Sequence, residues 1–304
     1  MPRQNITHLL MTDPTYRPDI KTKTGAPPGG FETKSLSEGE DKKRIRSLSR
    51  KSLGTAVQVI GRRSPKDLAD QLKRTLDAKK WPRTSASLRS MRHVRKHLIA
   101  WLICLYLTEP HKTWRRRLNP AFVTLIPQSE NWIVPGDMLT EVDAPKLLQQ
   151  IRTDLTRRGG VPADGWAFFG LHGEYDRDAD QWRIHAHGVV AGSMIGRCEA
   201  LRKQKKYRSA RSGRSPAPGK GSTPVEISRV QPRNLTRQMD YCFQSFWPLA
   251  GFSKRKRIPE PRHAEWLMWT DRYQPQDLCL MIGLRVEDQA LIQTGKVYTN
   301  VRTL

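Results

Sequence analysis

Trp182-Arg183-Ile184-His185-Ala186-His187-Gly188-Val189-Val190 alternates apolar residues with histidines in the manner of a β-strand. Successive side chains of a strand point to opposite faces, so His185 and His187 project together while Ile184 and Ala186 turn the other way. Two imidazoles held side by side on a rigid strand make half of a divalent-metal site. Upstream, Trp166 to Tyr175 reads as a second strand, and the polar run Asp176-Arg177-Asp178-Ala179-Asp180 joins the two directly. That pattern predicts an antiparallel hairpin. With the tightest turn, Tyr175 opposes Trp182 and His172 opposes His185.

Further elements flank this hairpin. Phe122-Val123-Thr124-Leu125-Ile126 reads as a strand closed by Pro127. Ala144 to Arg158 carries Leu147, Leu148, Ile151 and Leu155 at helical spacing and is stopped by Gly159-Gly160. After the hairpin comes a basic segment, then an alternating strand, Pro224 to Val230, then a helix from a capping Asn234 to Trp247. The order strand, helix, strand, strand, basic helix or loop, strand, helix predicts an α+β fold. Its centre would be a ferredoxin-like antiparallel sheet covered by helices on one face.

The remaining chain divides by composition. Residues 1–84 read as a basic, largely disordered arm, with Lys42 to Lys51 mobile. A short helix within it would start at Ser64-Pro65-Lys66-Asp67 and align Leu68, Leu72 and Leu76. Residues 85–118 read as a helical lead-in, with a helix from Ser87 to Leu107 that ends before Pro110. Residues 119–250 hold the hairpin and its sheet. Residues 251–304 begin with the basic linker Lys254-Arg255-Lys256-Arg257 and continue with two helices, around Pro261–Tyr273 and Gln276–Leu284.

Composition narrows the partner. Of 304 residues, 54 are Lys or Arg and 29 are Asp or Glu, a formal charge of +25 that favours a polyanion, nucleic acid first. The longest apolar run, Leu98 to Leu107, is about half the length of a bilayer span, and the opening residues do not resemble a cleavable signal. The four cysteines, Cys104, Cys198, Cys242 and Cys279, are scattered without Cys-x-x-Cys spacing. A cytoplasmic protein with no membrane role and no structural zinc is expected.

A third metal ligand should come from the partner strand. It offers Glu174 and, two residues earlier on the same face, His172. Facing residues of an antiparallel pair lie only about 5 Å apart, so register decides between them. The tight turn favours His172, a bulged one Glu174. A carboxylate better offsets a dication such as Mg²⁺ or Mn²⁺, which makes Glu174 the preferred ligand. On the downstream helix, Leu235, Met239, Cys242, Phe243 and Phe246 gather into an apolar stripe, and Tyr241 lies away from it between Arg237 and Gln244. A tyrosine facing a polar site can act as a nucleophile where a metal polarises a phosphate.

In this order, the first strand with its Thr124, the Glu-bearing strand, the His-hydrophobe-His strand and the helix tyrosine resemble the HUH endonuclease superfamily. The closest likeness is to the rolling-circle replication initiators of plasmids and phages, over about Asn119 to Trp247. The resemblance implies that His185, His187 and a third residue hold Mg²⁺ or Mn²⁺. It implies that Tyr241 attacks single-stranded DNA at a replication origin, leaving a 5′-phosphotyrosine and a free 3′-hydroxyl. Where the family's tyrosine motif usually carries a lysine, this chain has Gln244, and Arg237 is a substitute cation. Only one tyrosine occurs in the helix, which implies a single-tyrosine mechanism. No Walker-type motif follows, so unwinding and synthesis would fall to a host helicase and polymerase.

DNA would be held by Arg115, Arg116 and Arg117 before the first strand, and by Arg202, Lys203, Lys205, Lys206 and Arg208 in the segment Arg197 to Lys220. Three other readings share parts of this pattern. A non-catalytic nucleic-acid-binding module has the same strand–helix order, but the RNP1 pattern of RNA-recognition domains is missing. Relaxases share the chemistry but usually place the tyrosine before the histidine motif. HUH transposases are generally shorter and lack the long basic arm.

Overall fold

The computed structural model describes residues 34–50, 53, 63–78, 85–88, 120–157, 159–162, 164–208, 224–229, 238, 241–242, 247–250, 257–287 and 290–293. Among the described residues, helices α1 (Lys34–Leu48) and α2 (Pro65–Asp77) precede strands β1 (Ala121–Leu125) and β2 (Ile133–Pro135). Helix α3 (Ala144–Thr156) leads to the hairpin β3 (Trp166–Asp176) and β4 (Gln181–Ala191). Helix α4 (Met194–Leu201), β5 (Val225–Arg229), α5 (Arg262–Asp271), β6 (Cys279–Ile282), β7 (Leu284–Glu287) and β8 (Ala290–Gln293) follow. The fold is α+β, with a six-stranded antiparallel sheet in the order β5-β1-β4-β3-β6 and β2 paired to β4.

Local chemistry explains the main elements. The Asp176 carboxylate accepts the amides of Asp178 and Ala179, at 3.1 and 3.2 Å, and Asp180 takes the left-handed conformation that closes the turn. The two eleven-residue strands then pair without a bulge, Tyr175 opposite Trp182 and His172 opposite His185. Helix α3 starts where Asp143 accepts the Lys146 amide and ends before Gly159 and Gly160, both at positive φ. Helix α2 has the reciprocal Ser64–Asp67 cap and Pro65 in its first turn, and it buries Leu68 and Leu72.

Strand alternation gives the sheet two unlike faces. One carries Val123, Leu125, Phe169, Leu171, Trp182, Ile184 and Ala186, and these join a core built with Leu147, Leu148 and Ile151 of α3 and Trp266 and Trp269 of α5. The other face carries Thr124, His172, His185 and His187. All four are buried.

Two expectations about the flanks are corrected. The basic stretch Lys42 to Lys51 was expected as a mobile arm, yet residues up to Leu48 belong to α1. Ser37, Asp41, Arg44 and Leu48 are buried at spacings of four, three and four residues. Arg44 donates to the Ala86 carbonyl at 2.6 Å and covers the Trp266 ring, while Asp41 accepts from Ser87 and Leu88. The buried stripe is mostly polar, so hydrophobic periodicity does not see it. The second C-terminal helix, Gln276–Leu284, is instead one 3-10 turn, Pro275–Leu278, followed by β6 and the start of β7. Pro275 and the Gln274–Asp277 cap start a helical turn, and the alternation Leu278, Leu280, Ile282 takes over at once. The first C-terminal helix forms as α5.

The expected lead-in helix beyond Leu88 lies outside the described residues, as do the whole arm before Lys34 and the linker Lys254 to Lys256. Among the described residues, no helix is long and apolar enough to cross a membrane.

Candidate functional site

Three imidazoles converge at the middle of the polar face. Strand pairing puts His172 directly opposite His185, and His187 projects from the same face of β4 one repeat further on. His172 Nδ1 lies 3.0 Å from His185 Nε2, which lies 3.0 Å from His187 Nε2. All three ligand atoms fall within 4.8 Å of one another.

The outer nitrogens of the β4 pair are engaged. His185 Nδ1 is 3.0 Å from the Arg183 carbonyl, which can only accept, so that nitrogen carries the proton and Nε2 presents a lone pair. His187 Nδ1 is 3.0 Å from the Thr124 hydroxyl, a neighbour supplied by the pairing of Thr124 with His187. Contacts of this kind fix the orientation of a metal-binding histidine. Burial holds His185 well below the usual histidine range, at about 4, so its ring is neutral at physiological pH.

This donor set fits a divalent cation. Bonds of about 2.0–2.1 Å at tetrahedral or octahedral angles put neighbouring ligand atoms roughly 3 Å apart, the spacing seen here. The single lone pair on His185 Nε2 faces both other rings, and a cation at the centre would engage all three nitrogens at once. Among the described residues the ligand atoms that converge are those of His172, His185 and His187, whereas the expectation preferred Glu174 as the third. The unbulged hairpin sets Glu174 opposite Arg183, one pair beyond the cluster.

Tyr241 closes the site from above. It is helical and half-buried, its ring centroid is 4.7 Å from that of His187, and it stacks on His172 at 6.2 Å. Phe122 packs edge-on against Tyr241 and lies flat against His187. Burial, then the Glu174 carboxylate, then Cys242 and Glu226, all push the Tyr241 phenol above its ordinary range. Glu174 is itself raised by burial, partly offset by Arg183. Burial and nearby negative charge thus both favour the protonated phenol.

Other expected residues divide. Arg237, Gln244, Arg115, Arg116 and Arg117 lie outside the described residues. Arg202, Lys203, Lys205 and Arg208 are exposed on the segment after α4. That segment is anchored beside the sheet. Arg202 donates to the Val225 carbonyl, Lys206 accepts the Gln128 amide on its own carbonyl, and the Lys206 ammonium pairs with Asp154 at 2.6 Å. Lys206 is thus engaged within the fold, while Lys203 and Lys205 are exposed.

Sequence reasoning quoted Thr124 without its task and overlooked Phe122 and Gly170. Their signal is register: each occupies a same-face position next to a histidine or to its neighbour across the sheet. No family model, no curated protein and no solved structure matches this chain.

Proposed function

We propose that the chain is a metal-dependent, single-tyrosine nickase of the HUH endonuclease kind that starts rolling-circle replication. One observation carries the reading: a tyrosine ring rests on one of three converging imidazoles. The inner strand order β5-β1-β4-β3, with β1, α3 and β3 enclosing β4, supports the ferredoxin-like arrangement that such enzymes use. The substrate is single-stranded DNA at a replication origin, and a host helicase and polymerase continue the work in the cytoplasm.

His172, His185 and His187 would hold the ion, either Mg²⁺ or Mn²⁺. When bound, it polarises the scissile phosphate and offsets developing charge. Three nitrogen donors and no carboxylate match Mn²⁺ better than the oxygen-preferring Mg²⁺. Thr124 keeps His187 turned to the site, and the Arg183 carbonyl does the same for His185. The Tyr241 oxygen attacks phosphorus, the bond to the 3′-oxygen breaks, and the phenol proton is lost as the 3′-hydroxyl gains one. Burial first, and the Glu174 carboxylate next, raise the phenol above its ordinary range, so a cation and phosphate would have to help draw off its proton. Lys203, Lys205 and Arg208 can follow the DNA backbone without reading its sequence.

The test uses tiled single-stranded oligonucleotides covering the DNA around the coding sequence, with Mn²⁺ or Mg²⁺. Wild type should form a covalent protein–DNA adduct that survives denaturation, at lower concentrations of Mn²⁺ than of Mg²⁺. Tyr241→Phe should reduce it by at least about a thousandfold. No adduct from any tile, or an undiminished adduct in Tyr241→Phe, removes this assignment.

A further inference from the structure

Gly170 lies inside β3, between β4 and β6, opposite His187 on one side and Cys279 on the other. A glycine inside a strand is unfavourable by about 0.5–1 kcal/mol relative to alanine and often marks a place where another backbone comes close. Here that backbone belongs to the tyrosine segment. A Cβ at position 170 would sit 1.9 Å from the Cys242 carbonyl oxygen and 2.9 Å from its carbonyl carbon. Neither atom can rotate aside as a side chain would. Even a tight contact of 3.0 Å would require that carbonyl to retreat by about 1 Å.

Cys242 follows Tyr241 directly, so the height of its carbonyl above the sheet sets the height of the tyrosine ring above His187 and His172. We infer that Gly170 is a positioning residue: its bare α-carbon lets the Cys242 backbone settle on the sheet and brings Tyr241 against the imidazole cluster. The inference rests on the nickase reading for its catalytic consequence but not for its geometry. A misplacement of about 1 Å between nucleophile and target can cost roughly 100-fold in rate. Gly173, on the same strand, provides the control. It faces the opposite side, where an added Cβ would meet the Trp247 ring at 2.7 Å. Alanine there presses on Trp247, which packs on Trp182, Trp266 and Trp269 and lies 6.4 Å from the His172 ring, and not on the Cys242 backbone.

The experiment compares full-length wild type, Gly170→Ala and Gly173→Ala, each labelled with fluorotyrosine. Tyr241→Phe assigns the Tyr241 fluorine resonance, and Co²⁺ alone serves as the paramagnetic probe. In Gly170→Ala the Co²⁺-induced shift of Tyr241 should shrink while Co²⁺ and oligonucleotide affinities stay within about twofold of wild type. Adduct formation at saturating DNA should fall about 100-fold. Gly173→Ala should melt earlier yet keep both shift and rate. If Gly170→Ala fails to fold, Gly170→Ala/Cys242→Gly lets the segment bend away. That variant should fold with the shift still reduced, and full recovery of shift and rate would overturn the inference. An unchanged shift and rate in Gly170→Ala overturn it too, as does a wild-type Tyr241 that does not sense Co²⁺. A shrunken shift in a protein whose wild type forms no adduct supports the positioning role and removes only the nickase reading.

Discussion

The two faces of the sheet are made by the same strands, and side chains on both are buried, yet they are buried for different ends. Phe169, Leu171, Trp182 and Ile184 face helices α3 and α5 and take part in one continuous apolar core. One residue away in each direction, His172, His185 and His187 form a buried cluster under Tyr241, and burial keeps the His185 ring neutral. The first face lowers the energy of the fold. The second spends conformational specificity on a cluster of nitrogens that contributes little cohesion without a cation. A strand period of two allows both, because alternate residues answer to separate environments.

Mutating matched positions should separate these roles. Phe169→Ala, on the apolar face, should cost about 3–5 kcal/mol in urea unfolding. His185→Ala, on the other face, should cost only about 1 kcal/mol at pH 7.5 while abolishing divalent-cation binding. Equal destabilisation by the two would mean that the histidines are simply core.

Acid should strike the histidine face next. The folded His185 is held at about 4, below the usual value near 6.5 of an unfolded chain. Above about pH 6.5 neither state binds the proton and the stability is intact. As pH falls from there towards 4, the unfolded chain takes up a proton that the folded one refuses. Chelator-treated protein should therefore lose about 3 kcal/mol across that window. His185→Leu should flatten the dependence, and an equally steep loss in that variant would point to other groups.

The smallest expected effect concerns orientation. Thr124→Val keeps the shape of the side chain but removes the hydroxyl at His187 Nδ1. Mn²⁺ affinity measured by calorimetry should fall about 10- to 100-fold with little change in melting, and Thr124→Ser should restore most of it. Unaltered affinity in the valine variant would assign Thr124 to packing alone.

Much of this arrangement was legible because local signals agreed. The capping residues of α2 and α3, the polar turn after Asp176 and the alternation on β4 each predict one element, and those elements form. The tight turn even predicts His172 opposite His185. Charge reasoning then pulled the choice of ligand towards Glu174, because it weighed the dication and not the absence of a bulge. Helix α1 escaped notice because its buried stripe contains Asp41 and Arg44, whose partners Ser87, Leu88, Ala86 and Trp266 are distant in sequence. Strand β6 escaped because its preceding turn carries the same cap that begins a helix.

By itself the sequence determined the alternation on β4, and with it which residues could ever share a face with His185 and His187. That follows from strand geometry, a property of the chain alone. Tertiary structure decided which candidates meet. The unbulged register set His172, and not Glu174, opposite His185, the β1–β4 pairing brought Thr124 to His187, and the bare backbone of Gly170 let Cys242 descend and carry Tyr241 onto the cluster. These are distances between segments far apart in the chain. They depend on how strands pair and how closely backbones pack, and no local preference encodes either.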